Sequence, residues 1–405
     1  MKVKFRDIAN FVAGQSPKSE YYSESEGIPF LQGNRTFGTF YPAIDTYTTK
    51  VTKIAQKGDI LMSVRAPVGD LNFAPVDLCI GRGLASITAK NGDNAFLFYA
   101  LKYNINNLLK QSNGTTYDSV TGDIVKDMDM IIPEDETTCK KISNLLYGID
   151  SKIENNNGII SELESMSKTI YDYWFLQYEF PNEDGKPYKS NGGKMVYNKE
   201  LKKEIPEGWT VENLSKLALF NNGINYDKDE IGDKEYKIIN VRNITSSSLI
   251  INEAELDNIK LKKVQGEKYL VESNDILIAR SGTPGAVRLL LSNPQDIIYC
   301  GFIIKCMPNN VEHRLLITYY LKMLEGSNAT KTGGSIMQNV SQDTLKQVKI
   351  CLPTEPIISA FNNKISTILN KIQNLIQENQ ELINLRDYLL PLLMNGQVSF
   401  KSLNN

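Results

Sequence analysis

Histidine is almost missing: His313 is the single copy in 405 residues. That removes most general-base and imidazole–metal chemistry, because histidine is the side chain that titrates near neutral pH without help. His313 stands just before Arg314 at the start of an expected helix, where a surface or capping role is expected. The five cysteines, Cys79, Cys139, Cys300, Cys306 and Cys351, are scattered. No spacing among them matches a zinc site, and buried reduced thiols are expected. There is no phosphate loop of the Gly-x4-Gly-Lys-Ser/Thr kind. Ser281-Gly282-Thr283-Pro284-Gly285 is glycine-rich but carries no lysine, and reads as a turn. No Asn-Pro-Pro-Tyr-like motif of adenine methylation and no paired acidic cluster of a nuclease occurs. Catalysis by this chain is not expected.

Long apolar runs are lacking too. None approaches the roughly 18–20 residues of a membrane helix. Met1-Lys2-Val3-Lys4-Phe5-Arg6-Asp7 has no apolar core like a signal peptide's. The expectation is a cytoplasmic protein with no membrane partner. Nor is there an excess of basic charge: 45 Lys and Arg stand against 47 Asp and Glu, a net charge of −2. A local basic face is enough to bind nucleic acid, provided the acidic residues are segregated away from it. Hydrophobic content of 41% and charged content of 23% are those of an ordinary globular protein. The length has room for two to four domains.

What is present is an internal repeat. Residues 96–142 and 316–365 run in parallel. Phe98-Tyr99-Ala100-Leu101-Lys102 matches Thr318-Tyr319-Tyr320-Leu321-Lys322, and Ile132-Pro133 matches Leu352-Pro353. Asp59-Ile60-Leu61 pairs with Asp275-Ile276-Leu277, and Phe5, Phe11 and Gly14 with Leu214, Phe220 and Gly223. Self-similarity on this scale means two copies of one domain. Each copy reads as a short helical stretch, β-prone runs broken by Gly, Asn and Pro, and then a helix: Ala95 to about Lys110, and Arg314 to about Leu324.

A longer helix follows each copy. Ile142, Ile149, Asn156, Leu163 and Ile170 fall seven apart, with Leu145, Lys152, Ile159, Met166 and Tyr173 as a second set. Ile365, Ile372, Asn379, Arg386 and Leu393 repeat likewise, beside Ile368, Leu375, Leu382 and Leu389. These are heptad patterns of a coiled coil, each helix about 50 Å long at 1.5 Å per residue. Asn156 and Asn379 take equivalent core positions, where asparagine fixes register and orientation. The simplest closure is an antiparallel pair with one domain at each end. The expected organisation is a domain over 1–138, a helix over 139–178, a Gly/Pro-rich linker over 179–206, a second domain over 207–354 and a second helix over 355–396. The fold class is α+β: two tandem mixed α/β domains, each followed by a long α-helix, paired as an antiparallel coiled coil in a pseudo-two-fold repeat. Trp174, Phe175 and Ile383 suit either core or docking surface.

Candidate contact residues lie in turns beside the strands. The first copy offers Gln32, Asn34, Arg35, Arg65, Arg82 and Thr115; the second offers Arg242, Asn243, Arg280, Arg288 and Ser335. Arginine makes bidentate contacts to guanine edges and phosphates, and Asn and Gln do so to adenine. Short hydroxyl donors position a nucleic-acid backbone. The loops differ between copies where the strands and helices agree, which suits two readers of different sequences on one scaffold.

In this order of parts the chain resembles the specificity subunit of a type I restriction-modification system. Ile205-Pro206-Glu207-Gly208-Trp209, the paired Asp-Ile-Leu segments, the Ile-Pro and Leu-Pro closures, both heptad helices and Leu389-Leu390-Pro391-Leu392-Leu393-Met394-Asn395-Gly396 carry the resemblance. The first copy lacks the Pro-Glu-Gly-Trp lead, a departure that points to a trimmed or shifted start. The resemblance implies two target-recognition domains, each reading half of a bipartite site on double-stranded DNA, with the coiled coil as a ruler. It implies two docked methylation subunits carrying S-adenosylmethionine, joined in some systems by two restriction subunits using ATP and Mg. This chain itself would hold no cofactor and no metal. A coiled-coil adaptor holding two protein partners and no DNA is the alternative; salt-dependent affinity for duplex DNA separates the two.

Overall fold

The computed structural model describes residues 1–110, 119–226, 232–245, 248–325 and 340–400. It divides into two compact units: Met1–Asn156 with Glu378–Asn405, and Asn157–Gln377.

In the first unit four antiparallel strands form the central sheet: β1 (Ala9–Ala13), β2 (Ile60–Ser63), β3 (Leu71–Phe73) and β4 (Leu84–Ala89), in the order β1-β4-β2-β3. The second unit repeats that order with β5 (Ala218–Asn222), β6 (Ile276–Ala279), β7 (Val287–Leu289) and β8 (Ile303–Pro308), as β5-β8-β6-β7. Each copy adds a parallel strand pair: Ile28–Leu31 beside Leu78–Ile80, and Lys234–Ile239 beside Ile297–Tyr299. Each is also closed by a short antiparallel pair, Lys2–Lys4 with Asp129–Ile131 and Thr210–Asn213 with Lys349–Leu352.

The repeat extends to single backbone bonds. Gly14 N–H donates to Leu84 O at 2.9 Å, and Gly223 N–H to Ile303 O at 3.1 Å. Both glycines sit where two chain segments cross. A Cβ on Gly14 would lie 2.2 Å from the Gly81 carbonyl oxygen, and one on Gly223 would lie 2.2 Å from that of Cys300. The aspartates at the head of β2 and β6 also match: Asp59 accepts from Gln56 N–H at 2.9 Å and Asp275 from Glu272 N–H at 2.7 Å. Their buried ends differ. Ser86 and Thr88 hydroxyls satisfy Asp59, whereas Lys305 forms a 3.2 Å ion pair with Asp275.

Helix α1 (Asn94–Lys110) follows the first sheet and α3 (Arg314–Leu324) the second. The long helices are α2 (Glu136–Tyr171) and α4 (Glu355–Met394). They pair antiparallel: Asp150 meets Arg386 and Asn156 meets Asn379 in the first unit, while Tyr171 packs on Phe361 in the second. On α4 the expected core positions are inside or half-buried. On α2 the first set holds but the second is displaced by one residue. Leu146, Ile153, Ile160, Ser167 and, just beyond the helix, Trp174 are buried, while Leu145, Lys152, Ile159, Met166 and Tyr173 are exposed. Residues three and four beyond each core position flank it on opposite sides. Both flanks of α2 are largely apolar, and the i+4 side is the one turned inward.

The stretch expected to be a plain linker contains a hairpin, Met195–Asn198 with Lys203–Pro206. It also contributes Phe180 and Tyr188, stacked at 4.5 Å, to an aromatic cluster with Trp209. Trp174 and Phe175 belong to this core rather than to an outer face, and Ile383 is half-buried.

Gly14→Ala must push the crossing apart and is expected to lower stability by roughly 1–3 kcal/mol. Gly148→Ala, on the exposed face of α2 with open space around its Cβ, is expected to raise stability by roughly 0.5–1 kcal/mol. Thermal unfolding of the two variants checks both signs.

Candidate nucleic-acid interface

In the first domain three backbone bonds lash the candidate loops together. Gly81 N–H donates to Leu31 O at 2.8 Å, Gly83 N–H to Gln32 O at 3.1 Å, and Val64 N–H to Gly83 O at 2.9 Å. The loop after Ile28–Leu31, the end of β2 and the turn before β4 therefore meet at one junction. A cleft of about 480 Å³ opens over it, lined by Gln32, Asn34, Arg35, Arg65 and Arg82. These five expected residues, far apart in sequence, are brought together.

Three guanidinium groups and one carboxylate, Asp45, line the cleft, so it is a local basic face on a chain of net charge −2. Arg35 pairs with Asp45 at 2.6 Å, and both side chains remain exposed. Hydrogen bonds from Arg35 and then Thr46 hold the Asp45 carboxyl below the usual carboxylate range. Asn34 donates to Asp70 at 2.6 Å. Among the described residues, Arg65 and Arg82 have no ion-pair partner and both are exposed. Tyr22 and Phe30 wall the cleft, tilted against each other at 4.9 Å. No sequence pattern singles them out, because an aromatic near a strand reads as core.

The second domain offers a sparser set. Arg242 is exposed and bonded to Asp257 at 2.5 Å. Arg280 is half-buried, its Nη1 donating to Gly301 O at 3.1 Å. Two expected contacts are corrected. Arg288 is not in a surface turn: it lies in β7, 1% exposed, and ion-pairs with Glu325 at 3.2 Å. Its position on a strand facing the interior commits its charge to that carboxylate. Asn243 is buried in the capping box of the short helix Val241–Ile244, accepting from Asn240 N–H at 2.9 Å and donating to Glu255 O at 3.3 Å. Thr115 and Ser335 lie outside the described residues.

His313 is buried, not on the surface, at the start of α3, with Glu355 at 3.4 Å. Cys79, Cys300 and Cys306 are buried and unbridged, and Cys139 and Cys351 are half-buried. Burial raises the thiols of Cys139 and Cys351 to about 11, which keeps them protonated and unreactive at neutral pH. Among the described residues no three His, Cys, Asp or Glu side chains are grouped to hold a metal ion, and no helix is long and apolar enough to cross a membrane.

The model of the type I restriction modification DNA specificity domain matches residues 1–165 and 206–385. The chain belongs to that family. Over 162 residues it is 41% identical to a Methanocaldococcus jannaschii protein, a match covering 39% of this chain and 38% of that protein. The type I restriction enzyme MjaIX specificity subunit of the same organism is 26% identical, with 99% of this chain and 94% of that one covered. The crystal structure of a type I restriction-modification S subunit from M. genitalium shares the fold, at a TM-score of 0.55 and 14% identity over 99% of this chain and 96% of that one.

Arg82→Ala is expected to weaken cognate duplex binding by roughly 1–3 kcal/mol and to relax one base position. Arg35→Ala, whose guanidinium Asp45 already holds, is expected to cost less. Titrations against single-base variants of the site distinguish the two.

Proposed function

We propose that this chain is the DNA sequence-specificity subunit of a type I restriction-modification complex and performs no chemistry itself. Each globular domain reads one half of a bipartite site on double-stranded DNA. The observation that carries this is the convergence of Gln32, Asn34, Arg35, Arg65 and Arg82 on one basic cleft, in a family of DNA specificity domains. Arginine forks and side-chain amides on a rigid junction are the groups that distinguish guanine and adenine edges. A net charge near zero restricts the attraction to that face and disfavours coating the duplex at random.

Two methylation subunits bring S-adenosylmethionine and adenine methylation. Ile159, Met166 and Tyr173, exposed at seven-residue intervals in the second unit, supply an apolar strip for such docking. Restriction subunits using ATP and Mg join where the system encodes them. Such a complex works in the cytoplasm, where the DNA is.

The decisive experiment is co-expression with the methylation subunit of the same system, followed by methylation sequencing of host DNA. N6-methyladenine on both strands of one split motif is the expected outcome; a stable complex that leaves DNA unmethylated and unbound would favour the protein adaptor instead. A second expectation concerns length. Adding one heptad to α2 and one to α4 should change the number of unread bases between the half-sites and leave both half-site sequences alone. An unchanged spacer would remove the ruler from the proposal.

A further inference from the structure

The apolar run Ile297–Ile304 reads in the sequence as one strand. In the fold it is two strands joined by a tight turn at Cys300-Gly301-Phe302. Phe302 points out with 59% of its surface exposed, while Cys300, Gly301 and Ile303 are buried. The turn cannot relax to hide the ring. Gly301 N–H donates to Ile224 O at 2.6 Å and Ile303 N–H to Cys300 O at 3.0 Å. Arg280 bonds the turn twice, from its backbone N–H to Phe302 O at 2.9 Å and from Nη1 to Gly301 O at 3.1 Å. Asn225 backs it so closely that a Cβ on Gly301 would stand 2.0 Å from its Oδ1. A large ring held rigidly in water is unfavourable unless something covers it.

The first domain has the same turn at Gly81-Arg82-Gly83. Val64 N–H donates to Gly83 O at 2.9 Å where Arg280 N–H donates to Phe302 O, and Gly81 N–H donates to Leu31 O where Cys300 N–H donates to Ile239 O. Ser16 Oγ backs that turn by accepting from Arg82 N–H at 3.1 Å, as Asn225 backs the other. There the turn presents Arg82 to the cleft. A side chain at Gly83 is barred, since its Cβ would meet Gln32 O at 2.5 Å. In the second domain the glycine and the large residue exchange places, and the side chain presented is apolar.

We propose that Phe302 is the apolar reading residue of the second domain, meeting a base of the second half-site from the turn equivalent to the one that carries Arg82, one position further along. This rests on the DNA-reading function proposed above. Two base features share the required chemistry: the 5-methyl group of thymine in the major groove and the ring face of a partly unstacked base. Neither involves phosphate, so the contact adds discrimination without adding to the salt dependence of binding.

The test uses the full chain in complex with its methylation subunits. Wild type and Phe302→Ala are titrated with duplexes carrying every single-base change in both half-sites. Phe302→Ala should lower affinity for the intact site about tenfold and lose discrimination at one position of the second half-site. The first half-site and the salt slope should stay as they were. At that position, thymine replaced by uracil should weaken wild type and not the variant when the methyl is read. A contact with the ring face leaves both indifferent to uracil. Discrimination unchanged at every second-half position, or affinity lost equally across both halves, overturns the assignment. A wild-type complex with no sequence preference at all defeats the DNA-reading function and this residue's role with it, whereas failure of the variant alone leaves that function standing.

Discussion

Within the first unit, the Asn156 amide donates to Asn379 at 2.9 Å and to Glu378 at 2.8 Å, and Asp150 is bonded by Arg386 at 2.6 Å and by the Tyr99 hydroxyl at 2.9 Å. All of these groups but the half-exposed Glu378 are buried or nearly so, and each finds its partner on another helix. Desolvating an ion pair costs several kcal/mol that the attraction need not recover, but removing one partner costs about 3–5 kcal/mol. The seam therefore selects an alignment more than it adds stability. Sliding α2 along α4 would strand a carboxylate and an amide among aliphatic side chains. Tyr99 extends the constraint to α1 and so to the recognition domain: burial, then the Asp150 charge, pushes its phenol far up, and it stays a donor at any physiological pH.

The two copies keep the same backbone and spend their differences on side chains at its turns. Gly14 and Gly223 cross at the same contact, Asp59 and Asp275 close the same turn, and the strand orders agree. On that common frame the first domain carries arginines and amides over a cleft, and the second carries Arg242, Arg280 and an outward phenylalanine. A rigid frame with interchangeable turn residues lets the reading surface change without altering what holds the fold together.

Much of this was legible in the sequence because periodicity and repetition report backbone geometry directly. The repeat, the equivalent core places of Asn156 and Asn379 and the core positions of α4 follow from spacing, and the turn at Ser281–Gly285 from its glycines. The displaced seam on α2 does not, since Leu145 and Leu146 are equally apolar and only the partner chooses between them. Arg288 was misplaced because the carboxylate that pulls it inside, Glu325, lies 37 residues away. Asn243 looked like a free amide because capping depends on the local dihedral angles. Phe302 was hidden inside a run whose every residue favours burial. Grouping five candidate residues into one cleft needed three-dimensional contacts that composition does not encode.

The first unit is discontinuous in the chain: Leu390, Leu393 and Met394 share its core with Phe5, Leu101 and Ile142. The second unit, Asn157–Gln377, is unbroken. At about 5–20 residues per second on the ribosome, the strand of protein that finishes the first unit emerges on the order of 10–45 seconds after Asn156. During that interval the second unit can complete its own core, while Ile142 and Leu146 wait with one side bare. The domain made first is thus the one that closes last, and translation halted before Glu378 would release a half-finished partner beside a finished one.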